Sequence, residues 1–325
     1  MRISTGPLDS PDDAFDIVCS CQEFDQPDLP ALPREAFLAA LDNPWPGLTY
    51  ERYLARAGDT PVGYLVLGLP QHDNRTLVEV ELRVLPRERR RGAGQALLDL
   101  ARERARALGR RHLVGMSVQS RPDGSAFAEA VGARVALQQI RCRLDLQAAD
   151  QGRLDALLAE AWKHAAGYEL VQWVGVPPDE IIDDVATVAN RLNVDSPIGD
   201  LPLEPERLDA DQIRRAEASN VSRGRETINT GVRRNGRLVG WTAIAGLLAE
   251  PQRAWQQITL VLPEDRGHRL GMVLKLENLR LVRDRWPALR YIDTFNALSN
   301  EHMLAINRQI GFAPAESVIQ WRLDV

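Results

Sequence analysis

A chain of 325 residues with a formal net charge of −5 has room for two globular domains and lacks the basic surplus that a nucleic-acid surface needs for phosphates. Its three cysteines, Cys19, Cys21 and Cys142, form no disulfide framework, and no second cysteine pair or nearby histidine turns Cys19-Ser20-Cys21 into a metal site. The segment from Met1 to Pro7 has no apolar signal core, and no apolar run approaches the ~20 residues of a membrane span. The expectation is therefore a cytoplasmic monomer or homodimer, with neither nucleic acid nor membrane as partner and no metal.

A helical region is predicted over roughly 11–41. Tyr53–Ala57 and Val62–Gly68 read as two strands joined at Gly58-Asp59, a strong hairpin signal. Thr76–Leu85 is a third strand, ended by Pro86. Gly94–Leu108 is a helix with Leu97, Leu98, Ala101, Ala105 and Leu108 on one face and Gly109 to close it. His112–Val118 is a buried strand, Ala126–Val131 a short helix stopped by Gly132, and Val135–Leu146 a strand. The stretch 148–166 is helical in pattern, through Leu154, Leu157, Leu158, Ala161 and Trp162.

The order then repeats. A helical region spans roughly 178–217. Gly231–Arg234 and Leu238–Ala245 form a hairpin at Asn235-Gly236, and Gln257–Leu262 is the strand before Pro263. Leu270–Arg285 is a helix with Met272, Leu276, Leu279 and Trp286 on one stripe. Tyr291–Phe295, Asn300–Ile310 and Val318–Leu323 are strand, helix and strand. Local sequence repeats as well: Val84-Leu85-Pro86 recurs 177 positions later as Val261-Leu262-Pro263, Val62-Gly63-Tyr64 as Val239-Gly240-Trp241, and Gly94 as Gly271. Such a period is that of a duplicated domain, since solenoid repeats run to about 20–50 residues. The predicted organisation is one domain over 1–147, a helical connector over 148–166 and a second domain over 167–325. Each is α+β, a mixed and mostly antiparallel sheet flanked by helices.

In the first copy the third strand runs into Arg89-Arg90-Arg91-Gly92-Ala93-Gly94-Gln95 and a helix. Unpaired amides and partial positive charge at a helix N-terminus bind phosphate, glycines let the backbone approach, and arginines add charge-assisted contacts. In the second copy the corresponding residues are Arg266-Gly267-His268-Arg269-Leu270-Gly271, with Arg269 where the first copy has Gly92.

This arrangement resembles the GNAT superfamily of N-acetyltransferases. Its turn signature, Arg/Gln-x-x-Gly-x-Gly/Ala after a Val-x-Pro strand end, is met by Arg89 to Gly94. Its second segment, a strand, an Asn-containing turn and a helix ending in Gly-Phe, is met by Thr294 to Phe312. The resemblance covers nearly the whole chain, as two GNAT domains in tandem. It implies acetyl-CoA or another acyl-CoA as co-substrate. The pyrophosphate would lie on Arg89, Arg90, Arg91, Gly92, Ala93, Gly94 and Gln95, and the pantetheine beside the strand ending at Val84. In the second copy the equivalents are Val261, Arg266, Gly267, Arg269 and Gly271, with Asn300 near the pantetheine. It further implies direct attack of an amine on the thioester, a backbone amide for the oxyanion and a base for the amine proton.

The two copies depart from the pattern in different places. Arg269 replaces a turn glycine in the second, and Arg121 stands at the Asn300 position in the first. Where the family carries a tyrosine acid, the copies have Ala128 and Asn307. Glu79 and Glu81 alternate along the first copy's strand and so share a face, which makes them its candidate bases, with pairing of Glu81 to Arg83 as the competing role. The expected function is transfer of an acetyl or other acyl group from CoA to a primary amine of a small molecule, with the N-terminal copy as the better donor site. The alternatives are catalysis in the C-terminal copy, with the N-terminal one binding CoA structurally, and a non-catalytic acyl-CoA-binding protein.

Overall fold

The structure, a computed structural model, describes residues 2–325. Met1, the first residue of the segment read for a leader, lies outside the described residues. The elements in chain order are β1 (Ile3–Pro7), α1 (Pro11–Asp25), α2 (Arg34–Asp42), β2 (Leu48–Ala57), β3 (Thr60–Pro70), β4 (Leu77–Val84), α3 (Ala93–Ala107), β5 (His112–Val118), α4 (Pro122–Ala130) and β6 (Arg134–Asp145). They continue as α5 (Gln151–Trp162), β7 (Glu169–Val174), α6 (Ile182–Ala189), α7 (Leu192–Asp195), α8 (Ala210–Ser222), β8 (Arg225–Arg234), β9 (Arg237–Leu247), β10 (Arg253–Val261), α9 (Leu270–Arg285), β11 (Tyr291–Ala297), α10 (Glu301–Ile310) and β12 (Ala313–Asp324).

The chain forms two compact units. One runs to Gln139 and takes in Ile198–Glu204 and Glu316–Val325; the other is Ile140–Pro197 with Pro205–Ala315. In the first unit the strand order is β1-β2-β3-β4-β5-β12, antiparallel except for β4 against β5. The last strand of the chain thus pairs with β5, Val318 opposite Val118 and Asp324 opposite His112. Side-chain alternation along β3 sends Tyr64 to a core with Ala14, Ile17 and Val18 of α1, and Leu65 and Leu67 to a core with Leu97 and Ala101 of α3. The start of α1 is set by Ser10, whose hydroxyl accepts from the Asp13 amide at 3.2 Å, and by Pro11 in the first turn.

In the second unit β11, β10, β9, β8 and β7 follow the second half of β6. Again only one neighbour pair among β7 to β11, β10 with β11, is parallel. Ile228 and Val232 pack with Val273, Leu276 and Leu279 of α9, while Ala243 and Ile258 pack with Val185 of α6 and Ile213 of α8. Helix α8 opens with a capping box in which Asp209 and Gln212 satisfy each other's amides.

Helix α5, the expected connector helix, is part of this second unit. Leu154, Leu158 and Ala161 enter the α9 core, Trp162 Nε1 donates to Glu277 at 2.7 Å, and Asp155 pairs with Arg280 at 2.8 Å. A helix this short is marginal alone and holds its shape through its buried face. Limited proteolysis is therefore expected to spare residues 151–162; early cleavage there, seen as two stable halves on a gel, would show that the helix is not docked in solution.

Candidate functional site

Each unit contains one place where parallel strands part. Strand β4 pairs with β5 only from Leu77 to Glu79, opposite His112 to Val114, and β10 with β11 only from Arg253 to Trp255, opposite Tyr291 to Asp293. Beyond those residues the strands diverge, and the end of the longer strand leads into a turn and a helix N-terminus.

The two turns share an unusual backbone. Arg90 and Gly92 have φ of 61° and 93°; Gly267 and Arg269, their counterparts, have 87° and 54°. The same two positions are left-handed in both copies, with glycine and arginine exchanged. An arginine in this region costs about 1–2 kcal/mol, which the surrounding turn absorbs. Arg269 therefore leaves the turn's path unchanged. Its side chain is half exposed and lies 3.8 Å from Glu160.

A second shared feature is the arginine that opens each turn. Arg89 Nε donates to the Val84 carbonyl at 3.2 Å, and Arg266 Nε to the Val261 carbonyl at 3.1 Å. Each also holds a carboxylate from the early helices, Asp25 at 2.6 Å and Asp195 at 2.7 Å. These contacts fix the strand end relative to the turn.

From here the copies differ. In the first unit Arg89 also binds Asp123 at 3.0 Å, which joins the end of α1 to the start of α4. The guanidinium groups of Arg89 and Arg121 both pack over the Phe24 ring, at 5.3 and 4.7 Å from its centre. The Val84 carbonyl takes a further bond from Cys21 Sγ at 3.3 Å. Gly94 faces the Phe127 ring, which a Cβ there would meet at 3.4 Å. Arg91 pairs with Glu88 and Gln95 with Asp99. The amides of Ala93, Gly94 and Gln95 remain at the helix start without intrahelical partners, the first intrahelical bond being from Ala96 to Gly92.

In the second unit the corresponding region is an open cavity of about 690 Å³. It is lined by Thr259, Leu260 and Val261 from β10, by Asp265, Arg266, Gly267, Arg269, Leu270 and Gly271 from the turn and the start of α9, and by Asn300, His302, Met303 and Ile306 from the N-cap and body of α10. Where the first unit has Phe127 against Gly94, this one has the smaller Ile306 against Gly271. The floor of the turn is pinned by buried Asp265, which accepts from the Tyr168 hydroxyl at 2.8 Å. Asn300 caps α10 by accepting from the Met303 amide at 3.2 Å.

Strand β10 also carries an irregularity that β4 lacks. Its register against β9 slips by one residue between Gln256 and Ile258, so Gln257 is an extra, bulged residue, whereas β4 runs against β3 without a slip. Downstream of the bulge the Leu262 amide bonds the Val239 carbonyl. By antiparallel alternation Leu260 and Ile258 also bond toward β9, and the N–H groups of Thr259 and Val261 point the other way, toward the gap with β11.

Glu79 and Glu81 lie on the first unit's strand and are exposed. Glu81 pairs with Arg83 at 2.6 Å. On the second unit's equivalent face stand Trp255 and, across the gap, Phe295, stacked at 5.6 Å. On α8 the half-buried Glu217 accepts from Thr227 at 2.9 Å and from Asn220 at 3.4 Å, and desolvation pushes its carboxyl up from the usual range. Sequence reasoning missed Thr259, His302 and Met303 as cavity residues, and the bulge itself, because none carries a motif.

The acetyltransferase (GNAT) family model matches residues 13–126. A tandem GNAT protein from the clavulanic acid biosynthesis pathway is similar over 99% of this chain and 98% of its own, at 29% identity and a TM-score of 0.82. A GCN5-related N-acetyltransferase from Sphaerobacter thermophilus aligns over 99% of this chain and 96% of its own at 18% identity and a TM-score of 0.68, a likeness of fold. A search of curated proteins gives no match in sequence. The match over residues 13–126 places a GNAT acetyltransferase domain in the N-terminal part of the chain, and the whole chain has the fold of a tandem GNAT protein, which supports an acyltransferase.

Proposed function

We propose that this protein transfers an acetyl or other acyl group from acyl-CoA to a primary amine of a small molecule, and that the working donor site is the cavity of the C-terminal unit. The observation that carries the reading is that cavity, bounded by the β10 edge, the turn and the α10 N-terminus. In it the amides of Leu270 and Gly271 meet the pyrophosphate, with Arg269 close enough to add charge. The pantetheine lies along Thr259 to Val261 as an added strand. The thioester carbonyl comes to the gap where the Thr259 N–H points, and that amide stabilises the oxyanion formed on amine attack. The amine enters from the face of Trp255 and Phe295. The compartment on this reading is the cytoplasm.

This ordering of the copies is the reverse of the one expected from the glycine turn alone. The intact Gly92-Ala93-Gly94 turn, with its unpaired amides, favours a second reading, in which the N-terminal unit binds CoA. Against transfer there stand two features absent from the second copy's turn: the pairing of Arg89 with Asp123 of α4 and the larger Phe127 ring against Gly94.

One double variant separates the readings. The double variant Glu79→Gln with Glu81→Gln is expected to keep acyl transfer, followed as release of the CoA thiol, to within about twofold. A positioned base is worth roughly 10²–10⁴-fold. A loss of tenfold or more with unchanged folding would return the chemistry to the N-terminal unit.

A further inference from the structure

Beneath the bulge of β10 lies a buried amide and a buried lysine with no role so far. Gln256 is 8% exposed and Lys275, on α9, is 3% exposed. The Gln256 side chain spans the bulge. Its Nε2 donates to Thr242 Oγ1 at 3.0 Å, to the Ala243 carbonyl at 2.8 Å and to the Ile258 carbonyl at 3.0 Å. Its Oε1 accepts from Lys275 Nζ at 3.2 Å. The Ile258 carbonyl is held further by the hydroxyls of Thr242, at 2.8 Å, and Thr259, at 2.9 Å.

The Ile258 carbonyl and the Thr259 N–H belong to one planar trans peptide, so fixing the first fixes the second. The carbonyl is drawn toward β9 and the N–H is thereby aimed into the gap. An amide can bind in either of two flipped orientations that differ little in shape. Only one of them places the NH₂ on three acceptors, and Lys275, which offers only hydrogens when protonated, selects it by demanding the oxygen. The first copy has neither the bulge nor these partners: Glu79 stands directly opposite Gly68 in unbroken register.

We propose that Gln256 and Lys275 are positioning residues that hold the Ile258–Thr259 peptide in the orientation needed for the thioester carbonyl, a role that rests on the C-terminal donor site. Neither touches the substrate. Lys275 is costly to keep. Its neighbours Gln256 and Phe312, the latter with its ring 5.2 Å from Nζ, are uncharged, and burial alone pushes its pKa down from 10.5 to about 7. Between those values the unfolded chain holds a proton that the folded one has released, so stability from this site rises with pH from about 7 to 10.5. Below about 7 the charge is retained in the interior and its cost is carried in full.

The test uses the full chain with Gly94→Glu in the background, a charge placed in the N-terminal turn, so that bound acetyl-CoA reports the C-terminal unit. The variants Lys275→Met and Gln256→Leu are compared for affinity by calorimetry, melting temperature, and the infrared carbonyl band of acetyl-CoA labelled with carbon-13 at the thioester. The expected result is that Lys275→Met melts higher at pH 7 and loses the pH-dependent rise. Both variants bind acetyl-CoA within about threefold of the parent and lose the downward shift of the carbonyl band. Release of CoA thiol to water or amine falls roughly a hundredfold, the scale of one lost oxyanion donor. A purely structural lysine gives the opposite pattern, a lower melting temperature with the band unmoved, and a shifted band that survives both substitutions overturns the proposal. If the background protein binds no acetyl-CoA at all, it is the donor-site reading that fails.

Discussion

Gly271→Glu is expected to abolish acetyl-CoA binding, and the mirror change Gly94→Glu to leave most of it. Gly271 lies in the first turn of α9, lines the cavity and faces Ile306, which a Cβ would meet at 3.3 Å. A glutamate there adds a side chain to a space the pyrophosphate must enter and a negative charge beside two phosphates. At about 5 Å and an effective dielectric near 20 the repulsion is about 3 kcal/mol, or roughly a hundredfold in Kd. The steric term adds to it. Isothermal calorimetry on the two variants reads the difference directly. Gly271→Glu should take binding out of range and Gly94→Glu should retain a tight phase. The opposite ranking would make the N-terminal turn the donor site despite its Asp25–Arg89–Asp123 link.

Much of this was legible beforehand, and the reasons are local. The helix Leu270–Arg285 has the predicted bounds because its apolar stripe and Pro287 are both plain in the sequence. Gly311 at φ 112°, closing the predicted Asn300–Ile310 helix, and the hairpin at Asn235-Gly236 are turn chemistry that any context would honour. Strand β1 and strand β7 were missed, since Ile3–Pro7 and Glu169–Val174 are short and end at a proline or beside a glycine. The early helical region of the second copy resolves into α6, α7 and α8 with an extended stretch between α7 and α8, where prolines 197, 202 and 205 forbid a continuous helix. The partner of the last strand was not legible at all. An alternating pattern over Val318–Leu323 says that one face is buried, not which neighbour supplies the ladder, and β12 pairs with β5.

The site was legible to a different depth. Both turns stand where their motifs place them, and the substitution at Arg269 proved to be half of an exchange, visible only once the φ values showed two left-handed positions in each copy. The two copies also differ in the side chain that faces the turn glycine, Phe127 in one and Ile306 in the other, which no turn motif encodes. One signal was available and unused. Lys275 falls on the apolar stripe between Met272 and Leu279, and a lysine at such a place is buried either by error or for a purpose.

Asp293→Asn is expected to be among the most damaging single changes in the second unit. The carboxylate is fully buried and accepts from Arg143 Nε at 2.8 Å, from Arg141 at 3.3 Å and from Arg253. Arg141 is itself 0% exposed and Arg253 8% exposed, so the guanidinium groups cannot turn to water when the charge is lost. Removing one partner of a buried ion pair typically costs about 3–5 kcal/mol, most of it from the charge left behind. Replacing the exposed pair of Asp155 and Arg280, each half exposed at 2.8 Å, should cost less than about 1 kcal/mol. The two variants therefore separate burial from charge pairing as such. Asp293 is also the last residue in register with β10, opposite Trp255, so it holds the point from which the strands part. Its loss should loosen the gap as well as the fold. Thermal melts followed by circular dichroism should show Asp293→Asn lower by roughly 10 °C and Asp155→Ala nearly unchanged. Acetyl-CoA affinity in the first variant should fall even at temperatures where it remains folded. A variant at Asp293 that melts with the parent would mean that the three arginines are satisfied without it.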